Sequence, residues 1–591
     1  MVTLHNIRHR PYTKIICTLG PATDQGEVLR DLLLNGMNVA RLNFSHGSHK
    51  DHLARVQRFK ALRDETGMPA ALLCDMQGPE IRLRTFTTGK VTLTAGASFR
   101  FTTQDIPGTQ EAVSVSCPDF PRFVERGDIV LLDDGLIAMR VEHVSDGEVT
   151  CQVTEGGVLS NNKKINIPGK PIPLPFLNDK DRSDLRFAVE HEFEYIAASF
   201  VRTAADVIDL RTELRGLGGD WIKIISKIEC RQGVENIDDI LRVSDGIMVA
   251  RGDMGVEIPY EELPAIQKRI IRKCYEAGKP VVTATQMLES MIKNPRPTRA
   301  EITDVANAIY DGTTAIMLSG ETSIGHHPVE SIMAMARIAA EAERDIDYAK
   351  RFAERGVALS RNVTSAIGRA ACELAHAVGA AAIVTVTKSG HTAQMVSRYR
   401  PACPVIAVTT SPRVLNQLAL AWGVVPLRGE VSRTTDEVFA QAAALAERTG
   451  VVANGDLMVI TGGAVADLSG ATSILRVHVV GDVLVEGKGS NPGIASGAVC
   501  IIGEPPDVDE FNAGNVMMIR HTTDEILQVL RHAAAIITEE DEADSRAVAA
   551  ARESGIPAIS NARNAAAILK SGMVVTVDGT TGRVINGMKR G

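Results

Sequence analysis

Aromatic residues are scarce in this chain of 591 residues, since Phe, Trp and Tyr together make up only 4% of it. So few aromatic side chains argue against a surface that stacks nucleic-acid bases. The formal net charge of −8 argues against a general nucleic-acid binder as well. We therefore expect no nucleic-acid partner.

Paired cysteines and long apolar runs are also lacking. The nine cysteines are scattered without a CxxC pair, which predicts reduced thiols and neither a disulfide framework nor a zinc site. No apolar run approaches the roughly 18 residues of a membrane span, and the segment MVTLHNIRHRPYTK has no apolar core of a secretory signal. These features predict a cytoplasmic protein that has no membrane partner.

Several catalytic motifs are absent from the sequence. It contains no P-loop (GxxxxGK[ST]), no GxSxG elbow and no HExxH pair. If the protein binds a nucleotide, its phosphates must therefore be held by something other than a P-loop.

Eight short apolar runs, separated by helical patterns, dominate the first part of the chain. Runs that are apolar on both faces are typical of strands in a parallel sheet buried on both sides. Eight of them predict a closed (β/α)₈ TIM barrel. The runs are 13–19, 37–44, 70–76, 195–201, 221–229, 246–253, 280–286 and 314–321.

The rest of the chain divides into three further predicted domains. Residues 77–170 lack helical periodicity and contain short strand-like pieces such as LIAMRVEHV and EVTCQVTE, which predicts a β-barrel cap inserted into a barrel of 1–76 and 171–345. A C-terminal α/β regulatory domain is predicted over 346–475, and an additional α/β domain over 476–591. A cap at this position would close over a site at the barrel mouth.

Polar residues cluster where the apolar runs end. In a barrel of this type the carboxyl ends of the strands form the active-site face, so these residues are expected to converge. They include Arg41, Asn43, Ser45, His46, Asp75, Lys227, Glu229, Asp253, Thr285, Ser319 and Glu321.

Lys227 and Glu229 are two positions apart on one predicted strand, so they point to the same face. Alone they suggest a structural ion pair. The adjacent strand ends at Asp253, and two carboxylates beside a lysine suit Mg²⁺ or Mn²⁺ with a phosphorylated substrate. Gly252 lets backbone amides approach an anion, although a tight turn explains it equally well.

At these residues the chain resembles the pyruvate kinase family, over roughly residues 10–475. The matching segments include KIICTLGPAT, ARLNFSHG, KIECRQGVENIDDI and MVARGDMGVEI. The resemblance implies an allosterically regulated homotetramer that transfers a phosphoryl group from phosphoenolpyruvate to ADP. The products are pyruvate and ATP, and the reaction is the last step of glycolysis.

The resemblance also implies a role for each matching residue. Glu229 and Asp253 hold the divalent metal, Lys227 stabilises the phosphoryl group and Arg41 contacts phosphate. The carboxylate of the substrate is bound by Gly252, Asp253 and Thr285, and Thr285 belongs to the protonation path, with Ser319 and Glu321 as second candidates. Nucleotide contacts fall on His46, Arg82 and Lys163, and a K⁺ site on Asn43, Ser45, Asp75 and the carbonyl of Met76.

The chain departs from the family pattern in the segment DMQGPEIRL. Glu80 is typical of potassium-dependent members, whereas Met76, Gln77 and Leu83 are more similar to the independent group. We expect potassium activation, because Glu80 supplies a negative charge that a cation offsets.

The last domain resembles the phosphohistidine domain of phosphoenolpyruvate-utilising enzymes. That domain carries its phosphorylated histidine in a TSHAA motif, but Arg546 occupies the position here. An arginine cannot carry the phosphoryl group, so we expect a structural or regulatory role.

A loop rich in Ser, Thr and Gly precedes a helix in the 346–475 domain and has the chemistry of a phosphate cradle. An ordinary strand-to-helix turn is the alternative. The resemblance implies an allosteric site for a sugar phosphate or a nucleotide monophosphate. The residues are Thr387, Lys388, Ser389, Gly390, His391 and Thr392.

Two other function classes remain open from the residues. A metal-dependent lyase or aldolase that binds pyruvate enolate would need neither the cap nor Lys163. A catalytically silent sensor that binds sugar phosphate through 387–392 would predict the loss of Lys227, Glu229, Asp253 or Thr285, and all four are present.

Overall fold

The architecture comes from a computed structural model. It describes residues 10–170, 172–354, 363–453, 456–463, 472–481, 483–503, 508 and 511–587. The outer ends of the first and last predicted domains, 1–9 and 588–591, lie outside the described residues. No helix in the described ranges has both the length and the apolar character needed to cross a membrane.

All eight predicted apolar runs form strands, and together they close into a parallel barrel. Each strand pairs with its sequence neighbours, and β1 pairs with β8 to close the ring. The strands are β1 (Lys14–Thr18), β2 (Met37–Asn43), β3 (Ala71–Asp75), β4 (Tyr195–Ala198), β5 (Lys223–Ile228), β6 (Gly246–Ala250), β7 (Val281–Ala284) and β8 (Ala315–Leu318).

Alternation along these strands explains why they are apolar on both faces. Ile16, Val39 and Leu73 belong to a buried cluster inside the barrel, while their neighbours Ile15, Ala40 and Leu72 pack against the surrounding helices. The barrel therefore has two apolar layers, and polar side chains are left to the strand ends.

The helices and 3₁₀ turns around the barrel begin and end with ordinary capping chemistry. Ser48, Asn178 and Thr298 form capping boxes, and Gly67 and Gly312 end helices in the left-handed conformation. The elements are Val28–Leu34, His49–Thr66, Asp179–Glu190, Ala204–Gly216, Arg231–Glu235, Ile237–Val243, Arg251–Glu257, Tyr260–Glu262, Leu263–Ala277, Glu289–Ile292, Arg299–Asp311, Gly320–Ser323 and Pro328–Arg344.

The part of the chain between β3 and the helix Asp179–Glu190 is all-β apart from one short helix, Phe120–Phe123. Its strands form a seven-stranded and a two-stranded sheet around a core that includes Phe99, Phe101 and Phe120. The strands are Ile81–Arg82, Lys90–Leu93, Ser98–Thr102, Ala112–Ser114, Ile129–Leu132, Ile137–Ser145, Glu148–Glu155, Gly157–Ser160 and Lys164–Asn166. We call this β insertion the cap.

The C-terminal α/β domain is built on a five-stranded sheet that is parallel except for its last strand. In spatial order the strands are Val424–Arg428, Val405–Thr409, Ala382–Val386, Leu457–Gly462 and Ile474–Val479, so the sheet runs past residue 475. Its helices and 3₁₀ turn are Tyr348–Glu354, Val363–Val378, His391–Ser397, Pro412–Gln417, Leu418–Leu420 and Thr435–Arg448.

Leu420 of this domain belongs to the apolar cluster inside the barrel. Around it, the Lys14 ammonium donates to the carbonyl of Val424 at 2.8 Å, and the Tyr195 hydroxyl donates to the carbonyl of Gln417 at 2.6 Å. Lys14 and Tyr195 begin β1 and β4, so Leu420 closes the end of the barrel opposite the polar strand ends.

The last part of the chain folds around a mixed eight-stranded sheet, so an additional α/β domain follows as predicted. In spatial order its strands are Val483–Glu486, Arg583–Asn586, Val574–Asp578, Ile494–Ile501, Val516–Ile519, Ala535–Thr538, Ala558–Ser560 and Lys488–Asn491. Its helices and 3₁₀ turn are Asp524–Val529, Leu530–His532, Arg546–Glu553 and Ala565–Ile568.

Candidate active site

Lys227, near the end of β5, is the centre of a buried polar cluster at the carboxyl face of the barrel. Its ammonium lies 3.0 Å from Asp75 Oδ1, 2.7 Å from Ser199 Oγ and 3.1 Å from Glu229 Oε1. Burial lowers the pKa of this lysine, but the carboxylates of Asp75 and Glu229 outweigh burial and the net shift is upward. The ammonium is therefore held charged and in place.

Glu229 follows β5 and has no exposed surface. Its Oε2 accepts the amide hydrogen of Phe200 at 2.7 Å. Its Oε1 is buried and accepts no hydrogen bond from the described residues. The ammonium of Lys227 is close to this oxygen but is not oriented to donate to it. Burial raises the pKa of Glu229, Lys227 opposes that rise, and the neighbouring Asp253 adds to it.

Asp253 lies in the first turn of the helix Arg251–Glu257, directly after β6. Its Oδ1 is 2.6 Å from the ammonium of Lys164, which comes from the cap. Burial alone would raise the pKa of Asp253, but Lys164 and Lys227 lower it below its usual value. Asp253 is therefore ionised at neutral pH.

The two acidic side chains Glu229 and Asp253 fit a hard divalent cation. Oε1 of Glu229 is buried and accepts no hydrogen bond among the described residues, although the ammonium of Lys227 lies 3.1 Å from it. Among the described residues, no group of three His, Cys, Asp or Glu side chains is arranged to hold a metal. A cation bound here would therefore complete its shell with substrate oxygens and water, as Mg²⁺ commonly does.

Arg41, near the end of β2, is anchored from two sides. Its Nε donates to Asp75 Oδ2 at 2.6 Å, and its Nη1 donates to Thr18 Oγ1 at 2.8 Å. Burial would raise the pKa of Asp75, but Lys227 and Arg41 lower it. Asp75 thus holds two cationic side chains, Arg41 and Lys227, at the same part of the barrel mouth.

The four residues predicted for K⁺ lie at the ends of β2 and β3. Asn43 Oδ1 accepts the amide hydrogen of Ser45 at 3.1 Å, and the carbonyl of Met76 accepts from Ser199 Oγ at 2.6 Å. Each of these oxygens keeps a second lone pair. The Asp75 carboxylate is already engaged with two side-chain cations, so its charge is shared with them.

Thr285 occupies a left-handed backbone conformation, with φ of +67°, just after β7. Its Oγ1 accepts the amide hydrogen of Gly252 at 2.8 Å. Arg251 fixes the strained turn, because it donates to the carbonyl of Thr285 at 2.6 Å and pairs with Asp304 at 2.7 Å. A β-branched residue at positive φ stores strain of about 1–3 kcal/mol, and such positions cluster at functional sites.

Ser319 and Glu321, the second candidates for a proton path, follow β8. Both carboxylate oxygens of Glu321 accept backbone hydrogens, from Ser319 at 2.7 Å and from Leu288 at 3.1 Å. The hydroxyl of Ser319 is buried without a hydrogen-bond partner among the described residues. Of the two, Ser319 has a polar atom left to contact a ligand.

The predicted nucleotide residues lie where the cap meets β2. Arg82 pairs with Glu80 at 2.7 Å and donates to the carbonyl of Asn162 at 3.0 Å. Lys163 pairs with Asp133, another cap residue, at 2.6 Å. Burial and the neighbouring Arg82 lower the pKa of His46, which Glu80 partly offsets.

Lys164 is a residue of the candidate active site that the sequence analysis did not predict. The prediction named Lys163 as a nucleotide contact and did not name its neighbour Lys164, whose ammonium lies 2.6 Å from Asp253 Oδ1. Its ammonium also lies 3.8 Å above the ring of Phe200 and 3.8 Å from Glu80 Oε1. Lys164 shares a strand face with Asn166, which donates to Glu257 of the barrel, and only the structure shows that this face meets the barrel.

The predicted effector loop 387–392 joins Ala382–Val386 to the helix His391–Ser397. Gly390 has φ of +83°, and its amide donates to Thr387 Oγ1 at 3.0 Å. The hydroxyl of Thr392 bonds that of Thr472 at 2.6 Å. Lys388, Ser389 and His391 are exposed, so the loop presents side chains of its own to a ligand.

Arg546 begins the helix Arg546–Glu553 of the last domain. Its guanidinium lies 2.5 Å from Asp524 Oδ1, and both side chains are largely exposed. Arg546, which the sequence analysis expects at the position of the phosphorylated histidine, therefore forms a surface ion pair.

Comparison with known families and proteins covers nearly the whole chain. The model described as "Pyruvate kinase, barrel domain" matches residues 10–332, and "Pyruvate kinase, alpha/beta domain" matches residues 365–478. The model described as "PEP-utilising enzyme, mobile domain" matches residues 511–582.

Curated relatives match over a similar extent. Proteins named pyruvate kinase from Bacillus licheniformis and Geobacillus stearothermophilus are each 44% identical over 97% of this chain, which is 99% and 98% of their own lengths. One from Sporosarcina psychrophila is 42% identical over 97% of this chain and 99% of its own.

Proposed function

Because this chain belongs to the pyruvate kinase family, we propose that it transfers the phosphoryl group of phosphoenolpyruvate to ADP and produces pyruvate and ATP. The observation that carries the proposal is the cluster of the buried Lys227 and Glu229 with the partly exposed Asp253 at the carboxyl face of the barrel. Two carboxylates and a fixed ammonium suit phosphoryl transfer, which depends on positioning and charge neutralisation.

Lys227 has the role of stabilising the phosphoryl group between donor and acceptor. Its ammonium is charged, buried and held by Asp75 and Ser199, so it requires no reorganisation during the transfer. Arg41 shares the Asp75 anchor and supplies a second positive charge for the phosphate. The guanidinium of Arg41 is also fixed in place, because its Nη1 donates to Thr18 Oγ1.

Glu229 and Asp253 hold the divalent cation, Mg²⁺ or Mn²⁺, in this proposal. That cation would supply positive charge to offset the developing charge of the phosphoryl group. Two observations support this assignment: Glu229 Oε1 accepts no hydrogen bond among the described residues, and the lowered pKa of Asp253 keeps that carboxylate ionised at neutral pH.

The amides of Gly252 and Asp253, together with the hydroxyl of Thr285, bind the carboxylate of the substrate. Thr285 Oγ1 already contacts the Gly252 amide, so a bound carboxylate takes over one of these hydrogen bonds. In this proposal the same hydroxyl, which donates to the carbonyl of Ala284 at 2.6 Å in the structure, belongs to the path that passes a proton through water to the enolate of pyruvate. Ser319 is the second candidate for that step, because its hydroxyl has no partner in the described part of the chain.

The nucleotide binds between the cap and β2, at His46, Arg82 and Lys163. The closed cap excludes water, which would otherwise compete with ADP for the phosphoryl group. K⁺ is held by Asn43, Ser45, Asp75 and the carbonyl of Met76. Asp75 then serves both this cation and Lys227, which links the monovalent cation to the phosphoryl site.

Regulation and assembly remain predictions. We expect a sugar phosphate or a nucleotide monophosphate at 387–392, a homotetramer and a cytoplasmic location. For the last domain we propose a structural or regulatory role without phosphotransfer, because Arg546 stands at the phosphorylated position.

Formation of pyruvate and ATP from phosphoenolpyruvate, ADP and Mg²⁺ tests the proposal directly. We expect equal amounts of the two products, and a lower rate when tetramethylammonium replaces potassium at the same ionic strength. Pyruvate without ATP would instead indicate hydrolysis or lyase chemistry, and no product under any salt or sugar phosphate would favour the sensor.

A further inference from the structure

Two adjacent residues in the first turn of the helix Asp179–Glu190, Lys180 and Asp181, contact two different loops at the barrel mouth. The Lys180 ammonium donates to the backbone carbonyl of Phe44 at 2.6 Å, in the loop after β2. Asp181 Oδ1 accepts the amide hydrogen of Gly78 at 3.1 Å, in the loop after β3. The start of one helix therefore ties both loops to the same rigid element.

These two loops carry oxygens that the proposed function assigns to K⁺. Phe44 lies between the assigned residues Asn43 and Ser45, and Gly78 follows the assigned Met76 by two positions. The pairing of β2 with β3 runs to the last residue of each strand, and Ser45 and Met76 lie beyond it. The separation of the loop oxygens therefore depends on contacts made outside the sheet.

Both side chains are themselves held in place. Lys180 also donates to Asp184 Oδ2 at 2.7 Å, one turn further along the helix, and Asp184 Oδ1 lies 2.7 Å from His49 Nε2. Asp181 has no exposed surface and forms a capping box with Asn178. Each residue is therefore fixed by a second contact, so its hold on the loop is preorganised.

We propose that Lys180 and Asp181 are positioning residues of the K⁺ site and that they determine its preference for K⁺ over Na⁺. The inference rests on the K⁺ site of the proposed function. Selectivity between ions of the same charge depends on the size and the flexibility of the set of oxygens around the ion. Because both loops are tied to one helix, they resist contraction around the smaller Na⁺, and K⁺ is favoured.

The positive charge of Lys180 does not by itself produce this preference. An ammonium near the site repels K⁺ and Na⁺ alike, because the two ions carry the same charge. Loss of the ammonium charge would therefore strengthen the binding of both ions by a similar factor. Loss of positioning would instead change the ratio of the two dissociation constants, so this ratio separates the two effects.

The test is direct binding of monovalent cations by the full-length protein with phosphoenolpyruvate and Mg²⁺ but without ADP, so that no turnover occurs. Equilibrium dialysis with labelled Tl⁺ gives the dissociation constant of that ion, and its displacement by potassium or sodium nitrate gives those of K⁺ and Na⁺. In Lys180→Met we expect K⁺ to bind about tenfold more weakly and Na⁺ to be affected much less. The preference for K⁺ over Na⁺ should therefore fall.

Three further variants define what the change means. Lys180→Arg should keep most of the preference for K⁺, because a guanidinium can donate to the same two oxygens. Asp181→Ala removes the acceptor for the Gly78 amide and should lower the preference, as Lys180→Met does. Lys60→Met is the matched control, since Lys60 pairs with Glu192 at 3.6 Å, and it should bind both ions like the wild type.

An unchanged ratio in Lys180→Met, or an equal change in the affinity for both ions, would refute the positioning role. Asn43→Ala distinguishes that failure from failure of the proposed K⁺ site. If Asn43→Ala binds Tl⁺ as tightly as the wild type, the K⁺ assignment is wrong and the inference is overturned with it. If Asn43→Ala loses Tl⁺ binding but Lys180→Met keeps the wild-type ratio, the K⁺ assignment stands and only the role of Lys180 is refuted.

Discussion

The ammonium of Lys227 lies 3.0 Å from the carboxylate of Asp75, although the two residues are 152 positions apart in the sequence. Both side chains are almost completely buried, and the other oxygen of Asp75 holds Arg41. One carboxylate thus orients the two cations that the proposed function places on the phosphoryl group.

Asp75→Asn should therefore damage catalysis and stability together. Two buried cations lose their counter-charge, and breaking a buried pair in this way costs about 3–5 kcal/mol. We expect kcat to fall by about a hundredfold or more and the free energy of unfolding in urea to drop. Asp239→Asn is the control, since Asp239 pairs with Arg242 on the surface, and it should change neither value measurably. If the Asp75→Asn variant were fully active, the claim that Asp75 holds both Lys227 and Arg41 in their catalytic positions would be contradicted.

Substitutions of Thr285 can separate the effect of its strained backbone on stability from the effect of its hydroxyl on catalysis. Thr285→Ala and Thr285→Gly both remove the hydroxyl that contacts Gly252, but only glycine adopts φ of +67° without strain. We expect kcat to be low in both variants and to be largely retained in Thr285→Ser. The Gly variant should be more stable than the Ala variant by about 1 kcal/mol. Equal stability of the two, measured by urea unfolding, would show that the turn is unstrained.

Leu420 should be one of the costliest apolar side chains to truncate. It is 1% exposed and fills the end of the barrel opposite the active site. Leu420→Ala leaves a cavity at that position, so we expect a loss of about 2–5 kcal/mol in the free energy of unfolding. Leu136→Ala, at a side chain that is 72% exposed, should change it by less than about 0.5 kcal/mol. A comparable effect of both variants would argue against the packing of Leu420 inside the barrel.

The last domain should not carry a phosphoryl group. Arg546 pairs with Asp524 on the surface, and its permanently protonated guanidinium has no free nitrogen lone pair with which to attack a phosphoryl donor. Incubation of the full-length protein with labelled phosphoenolpyruvate should leave no acid-labile label on the chain. Label that maps to His521 or His532 would overturn the expectation and point to a displaced phosphorylation site.

The barrel could be predicted because its strands are buried on both sides. Such strands must be apolar along their whole length, so the eight apolar runs could be identified from the sequence alone. The polar ends of β5 and β6 could be placed together for the same reason, since the ends of parallel strands meet on one face of a barrel.

The positions of individual side chains at the site depend on tertiary contacts, which cannot be read from the composition of the sequence. Strand register decides whether Lys163 or Lys164 points toward Asp253, and two adjacent lysines carry no signal about it. Phe200 takes φ of +54° without being glycine, so no turn residue marks the bend that aims its amide at Glu229.

The most direct test of the central claim is the rate of phosphoryl transfer in Lys227→Met, with proton exchange into pyruvate measured on the same protein. The account predicts that transfer from phosphoenolpyruvate to ADP falls by about a thousandfold or more, because the fixed charge on the phosphoryl group is lost. Proton exchange at the methyl group of pyruvate, which the proposed function assigns to Thr285, should persist. A variant that transfers phosphate at the wild-type rate would contradict the role of Lys227.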